Sequence, residues 1–295
     1  MTSDEIGMIE QKALSIRKNI IRMISSAGSG HPGGSLGQAD IFAALYFGSA
    51  NGDKILKFPR KPLNLLDKSR DILIQSNGHT APVRYAAFRE LGLISDEEIL
   101  SLRKFGARLQ GHPERTILPE VETTSGPLGE GLSQADGMAL AMRDFNDEPN
   151  RRVFVTLGDG EMDEGQNWEA IMFARKNRLS NLVAIIDFNE VQLSGSVREI
   201  MPLEPLAGKF AAFGWEVFTC DGNNVRELLE NFAKILSEKS QKNGKPKVLI
   251  AKTKMGFGVP SIMGDYHWHG KAPSVEMAEK WLKELEEDFA KKEEK

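Results

Sequence analysis

The chain has 295 residues, is 40% hydrophobic and carries a formal charge of −4, which gives enough apolar material for a full core and no reason to expect nucleic acid as a partner. Its one cysteine, Cys220, excludes an internal disulfide and a thiolate metal cluster, and reads as a packing residue. The first ten residues lack the basic-then-apolar order of a signal peptide, and no apolar run approaches the roughly 20 residues of a membrane span, so the expectation is a cytoplasmic protein with no membrane partner.

Residues 6–26 carry apolar side chains at helical spacing and predict a helix. It runs into Ala27-Gly-Ser-Gly-His-Pro-Gly-Gly-Ser-Leu-Gly37, too rich in glycine to expect a regular element. A helix over about 36–47 follows. Residues 51–68, with Pro59 and Pro62, read as a surface loop, and 71–75 as a short strand ending at Ser76-Asn-Gly-His-Thr80. A helix to about 91 and a capping box at Ser95-Asp-Glu-Glu98 come next. Residues 105–128 form a long irregular stretch holding Gly111-His-Pro-Glu114 and Ser125-Gly-Pro-Leu-Gly129, and long glycine-rich loops inside a compact domain are usually functional. Helices are expected over 133–145 and 165–178, with apolar strands at 153–157 and 182–186 on either side of the second. Beyond a loop with Pro202 and Pro205 lie a short helix at 207–213, a strand at 215–219, a helix at 225–239 and a last strand at 247–252. Residues 253–273 are irregular, and a charged amphipathic helix begins at 274. No composition break divides the chain. The expected architecture is one doubly wound α/β domain over 1–295, a mostly parallel sheet with helices on both faces.

Parallel strands joined by a helix end at one sheet edge, where open α/β folds bind ligands. At that edge stand Gly158-Asp-Gly160 and, one strand over, Asn189. A carboxylate and an amide oxygen suit a hard divalent cation that also carries phosphate oxygens, and the following helix offers free N–H groups to a phosphate. Two unrelated strand-end turns are the plainer alternative. The five histidines, His31, His79, His112, His267 and His269, all fall on glycine-bearing loops, and their convergence on one pocket is the simplest account. A zinc site is the competing reading, without the helical histidine pair or the thiolates that zinc usually takes. Ser125-Gly-Pro-Leu-Gly129 is a rigid turn, able to offer backbone groups to a flat heterocycle.

Gly158-Asp-Gly160 through Asn189-Glu-Val191 resembles the signature of thiamine-diphosphate enzymes. Ser29-Gly-His-Pro-Gly-Gly34, Ser76-Asn-Gly-His79, Gly111-His-Pro-Glu114, Thr123-Thr-Ser-Gly-Pro-Leu-Gly-Glu-Gly131 and Trp268-His-Gly270 narrow the resemblance to transketolase, over essentially the whole chain. The resemblance reaches that family's first domain, and so implies the N-terminal subunit of a split transketolase that moves a two-carbon ketol unit from a ketose phosphate, such as xylulose 5-phosphate, to an aldose phosphate. It implies thiamine diphosphate with Mg²⁺ (or Ca²⁺) held by Asp159, Asn189 and the Val191 carbonyl. Gly160, with Gly158 and Glu161, would face the diphosphate. His79 and His269 would stand at the diphosphate and thiazolium side, and Gly126, Pro127 and Leu128 at the aminopyrimidine. His31, His112 and His269 would be the catalytic residues facing the sugar, while Glu164 and Glu169 resemble acidic residues at the family's subunit interface, where solvated helix residues are the plain alternative. A C-terminal subunit carrying the pyrimidine-binding domain would complete an α2β2 assembly. The alternatives are a transketolase-like enzyme for another ketose, a deoxyxylulose-phosphate synthase and the α chain of a 2-oxo acid dehydrogenase. Ser194 stands where the family often has Asp, and His267 matches no motif.

Overall fold

The computed structural model describes residues 2–58, 64, 67–146, 148 and 150–293, so Pro59 and Pro62 of the expected surface loop lie outside the described residues. Helix α1 (Ser3–Ala27) starts on Thr2, whose hydroxyl accepts the Glu5 N–H at 3.2 Å, and stops at Gly28 in the left-handed conformation. α2 (Pro32–Gly37) and α3 (Ala39–Phe47) follow, then a two-residue ladder of β1 (Ser49–Ala50) with β2 (Asp53–Lys54). The chain continues through β3 (Ile72–Gln75), α4 (Ala81–Glu90), α5 (Asp96–Ile99), α6 (Glu130–Asp144), β4 (Val153–Gly158), α7 (Gly165–Lys176) and β5 (Leu182–Phe188). After the small ladder of β6 (Val191–Gln192) with β7 (Gly195–Ser196) come α8 (Val197–Ile200), α9 (Leu206–Ala212), β8 (Glu216–Asp221), α10 (Val225–Ile235), α11 (Glu238–Lys242), β9 (Lys247–Lys252) and α12 (Val275–Glu293).

The main sheet runs β3-β4-β5-β9-β8, and each neighbouring pair is parallel. Strand side chains alternate between two cores, as the period of two requires. Leu73, Phe154, Val183 and Leu249 pack with Ile20 of α1, Phe42 of α3, Phe88 of α4 and Phe232 of α10. Ile74, Val155, Ile186 and Ile250 pack on the other face with Leu132 of α6, Ile171 of α7 and Phe210 of α9. Because β4 and β5 are covered on both sides, every side-chain position from Val153 to Leu157 and from Leu182 to Phe188 is buried, which is why both runs are apolar apart from Thr156 and Asp187. Cys220 is buried in this packing, and burial pushes its thiol up to about 12.

Three local expectations are corrected. The glycine-rich segment holds a short helix, α2, where no regular element was expected. Pro32 begins it, and its free carbonyls are taken from elsewhere in the fold: Gly33 by the Gly256 N–H at 2.8 Å, Leu36 by Arg17 Nε at 3.2 Å, Gly37 by Asn223 Nδ2 at 2.9 Å. Its glycines are there for closeness, since a Cβ on Gly33 would stand 2.6 Å from Met255 Cγ and one on Gly37 2.9 Å from the Lys254 carbonyl oxygen. The single helix expected over 225–239 is two, because Ser237 leaves the helix and caps α11, accepting the Ser240 N–H. Only half of the capping box forms: Ser95 accepts the Glu98 N–H at 3.1 Å, but the Glu98 carboxylate turns to Arg108 instead.

Candidate active site

Strands β4 and β5 end side by side, with Gly158 opposite Asp187 in the ladder. The chain beyond them, Asp159 on one side and Asn189 on the other, meets through the Glu190 N–H, which donates to Asp159 Oδ2. Asp159 is 2% exposed, and its Oδ1 accepts the Gly160 N–H at 2.7 Å. Burial and the nearby Asp187 carboxylate push the Asp159 carboxyl up to about 8. Asp187 is itself pushed up to about 6 by burial, against hydrogen bonds from Thr253 and Asn189. Two buried carboxyls with elevated pKa, neither of them paired with a cation among the described residues, make a place where a divalent cation fits. Asn189 Nδ2 donates to Asp187 Oδ2 at 2.9 Å, which fixes the amide and leaves Oδ1 beside the Val191 N–H, also at 2.9 Å. Among the described residues no three His, Cys, Asp or Glu side chains are placed to hold a metal ion together, so the candidate cation site is built from one carboxylate, one amide and backbone.

A cavity of about 320 Å³ opens above this edge. His31, His79, His112, Gly126, Leu128, Gly158, Asp159, Gly160, Glu161, Asn189, Val191 and His269, drawn from loops spread over the chain, all line it. The His31, His79 and His269 rings pack on one another with centroids 5.1, 5.4 and 5.7 Å apart. Burial holds His31 down at about 4 and His79 at about 3, reinforced in both by His269 and His112, and burial lowers His269 as well. His112, more exposed at the mouth, is lowered by burial and by Arg103. The four rings are therefore neutral at neutral pH, each with one donor and one acceptor nitrogen. His31 Nδ1 is buried without a hydrogen-bond partner among the described residues, as expected of a group that faces a ligand.

Glu161 plays a part that its neighbours in sequence do not suggest. Its carboxyl accepts from Ser76 Oγ, from the Gly129 N–H at 2.8 Å and from the Gly158 N–H at 3.1 Å, so one buried side chain ties three loops of the cavity wall. Asn77, Thr80, Asp187, Gln192 and Leu193 also line the cavity and were not singled out in the sequence. An acidic residue inside the apolar run of β5 was the available signal for Asp187. Other expected residues stand elsewhere. Pro127 is exposed and is not part of the wall, which takes Gly126 and Leu128 from the same turn. The Gly160 N–H is engaged by Asp159 in preference to projecting freely into the cavity. The Leu128 carbonyl accepts from Gln166 Nε2 at 3.2 Å. Glu164 and Glu169 are exposed at and near the start of α7, off the cavity. His267 is exposed too, paired with Asp265 at 2.6 Å and stacked on Tyr266.

The family described as the thiamine diphosphate binding domain of transketolase matches residues 9–290. The chain belongs to the transketolase family. Among its transketolase relatives, an apulose-4-phosphate transketolase subunit of Actinobacillus succinogenes is 38% identical over 281 residues, covering 95% of this chain and 96% of that protein. A 6-deoxy-6-sulfo-D-fructose transketolase subunit from a Clostridium species is 36% identical over 290 residues, covering 98% of this chain and all of that one. The transketolase of Campylobacter jejuni superposes with a TM-score of 0.81 at 30% identity, and that of Leishmania mexicana with 0.79 at 26%. Each match covers 97% of this chain but only 43% and 45% of the other, so the chain spans under half the length of these solved transketolases. Among the described residues no helix is long and apolar enough to cross a membrane.

Proposed function

We propose that this chain is the diphosphate-binding half of a two-chain transketolase. The reading rests on one observation: four histidine-bearing loops, far apart in sequence, enclose one cavity whose floor is the buried Asp159–Asn189 edge. Thiamine diphosphate, when bound, supplies the carbanion that takes a two-carbon ketol unit from a ketose and gives it to an aldose. A magnesium ion held by Asp159, Asn189 and the Val191 carbonyl would neutralise the diphosphate, and the elevated carboxyl of Asp159 supports a positive charge there. His79 stands on the diphosphate side of the ring cluster. His31, His112 and His269 donate N–H groups to sugar oxygens as negative charge develops on them, and a neutral ring nitrogen receives the hydroxyl proton when the carbon–carbon bond breaks. The depressed pKa values of these rings support that role, since a ring protonated in advance could not act as the base.

Glu164 and Glu169, exposed on α7, are proposed to meet the second chain, which carries the pyrimidine-binding domain, in an α2β2 assembly. The naming of relatives of equal length as one subunit of a transketolase supports the need for that partner. The donor is a ketose phosphate, with xylulose 5-phosphate the first to test and another short ketose phosphate or sulfo-ketose the alternative. The purified chain should be inactive alone and should transfer ketol groups once combined with the second polypeptide, thiamine diphosphate and Mg²⁺. Full activity of the single chain would overturn the two-chain reading, and use of pyruvate in place of any ketose would replace transketolase with a synthase of the same cofactor.

A further inference from the structure

Behind the cavity wall lies a buried side chain that none of the motifs contains. Gln38 stands at the joint where α2 ends and α3 begins, and it is 1% exposed. Its carboxamide reaches three residues that line the cavity, Gly34, Asn77 and Asp187. Oε1 accepts from Asn77 Nδ2 at 3.2 Å, and Nε2 donates to the Gly34 carbonyl at 3.4 Å. Nε2 also serves Asp187: burial raises that carboxyl, and the hydrogen bonds that oppose burial come from Thr253, Asn189 and Gln38.

This line of hydrogen bonds can run in one direction only. A backbone carbonyl and a carboxylate accept and do not donate, so Nε2 must face them and Oε1 must face Asn77. Asn77 then presents Nδ2, and its Oδ1 is left to the Thr156 hydroxyl, which donates at 3.2 Å. The Asn77 backbone carbonyl takes the Thr80 N–H at 3.0 Å and the Thr80 hydroxyl at 2.8 Å, which closes the turn that carries His79. At the other end, Asp187 fixes the amide of Asn189. Packing alone would be served by an apolar residue at 38, as it is by the buried neighbours Leu36 and Ala39, because a buried amide is costly unless its polar atoms are paired. The pairing of Gln38 is spent on the two parts of the wall that carry Asn189 and His79.

We propose that Gln38 is a positioning residue that holds Asp187 and Asn77 in register, and so ties the seat of the cation to the turn that carries His79. The inference rests on the thiamine-diphosphate reading above and deepens it. The test is a double-mutant cycle in the two-chain assembly, with Gln38→Met, Asp187→Asn and both together, read by calorimetric titration of thiamine diphosphate at fixed Mg²⁺. Gln38→Met keeps the length of the side chain and removes its hydrogen bonds. It should weaken binding on the order of tenfold, and the double variant should bind no more weakly than Asp187→Asn alone. A residue that merely packs would leave affinity untouched or would give losses that add. Either outcome overturns the inference and leaves the cofactor reading intact. Gln38→Asn, too short to span Asn77 and Asp187 together, replaces Gln38→Met in the cycle if that variant does not fold, with the same outcomes. If the wild-type assembly binds no thiamine diphosphate, the cofactor reading fails, and the isolated chain decides on Gln38. Solvent exchange of the Asn77 and Asn189 side-chain amide protons, followed by NMR, should then be severalfold faster in the Gln38 variant than in the wild type. Equal rates overturn the assignment.

Discussion

Single side chains at the sheet edge divide into those that meet a ligand and those that aim them. Asp187 belongs to the second kind, because its carboxyl takes the Asn189 amide and the Thr253 hydroxyl and thereby sets which way Asn189 faces. Asp187→Asn should weaken Mg²⁺-dependent binding of thiamine diphosphate on the order of 10–100-fold, as loss of an outer partner does at metal sites. Calorimetric titration of the two-chain assembly would show it, and unaltered affinity would reduce Asp187 to a packing residue. The histidines proposed as catalytic should separate differently. His112→Ala and His269→Ala should each lower turnover on the order of a hundredfold or more while changing cofactor affinity far less. Steady-state kinetics beside cofactor titration checks this, and unchanged turnover in both removes them from the chemistry. Asp187 was hard to read because its partner Thr253 lies in another loop. Asp159 and Asn189 were readable because both follow unmistakable strands.

At the scale of elements, what could be read in advance was whatever local residues decide. β4 and β5 are mainly apolar runs, buried on both faces, and their place in the sheet follows from the helix between them. α2 could not be read in the same way. Four glycines and serines in six residues have little helix tendency, and the element exists because Arg17, Asn223 and Gly256 satisfy its carbonyls from other parts of the fold. Gly37→Ala tests this dependence. The added methyl must displace backbone at Lys254, so a loss of roughly 1–3 kcal/mol is expected in denaturant unfolding of the isolated chain. A neutral or stabilising result would mean that α2 and the loop after β9 can separate without cost. The two helices in place of one at 225–242 have a similar lesson, since the sequence period runs on through Ser237 while the capping hydroxyl ends the first helix.

Across the whole molecule, charge is arranged around burial more than around exposed pairs. Asp136 on α6 is 2% exposed, and burial alone pushes its carboxyl up to about 8. The folded chain thus holds a proton there that the unfolded chain releases near pH 4, and stability declines as pH rises from that point through about 8. Asp136→Asn should remove this share of the decline, with a gain over wild type that grows by up to about 1.4 kcal/mol per pH unit across the window. Thermal unfolding of the isolated chain at pH 5 and pH 8 measures it, and an equal effect at both would show that Asp136 does not titrate between them. The knot at Glu161 has a different consequence, for how such a domain can change over generations. Because one carboxyl pins the loops at Ser76, Gly129 and Gly158, a substitution at residue 161 would release all three at once, whereas turns that supply no lining residue can drift independently of the wall. Position 161 should therefore tolerate change only together with its three partners, while length changes gather in turns that leave the cavity wall untouched.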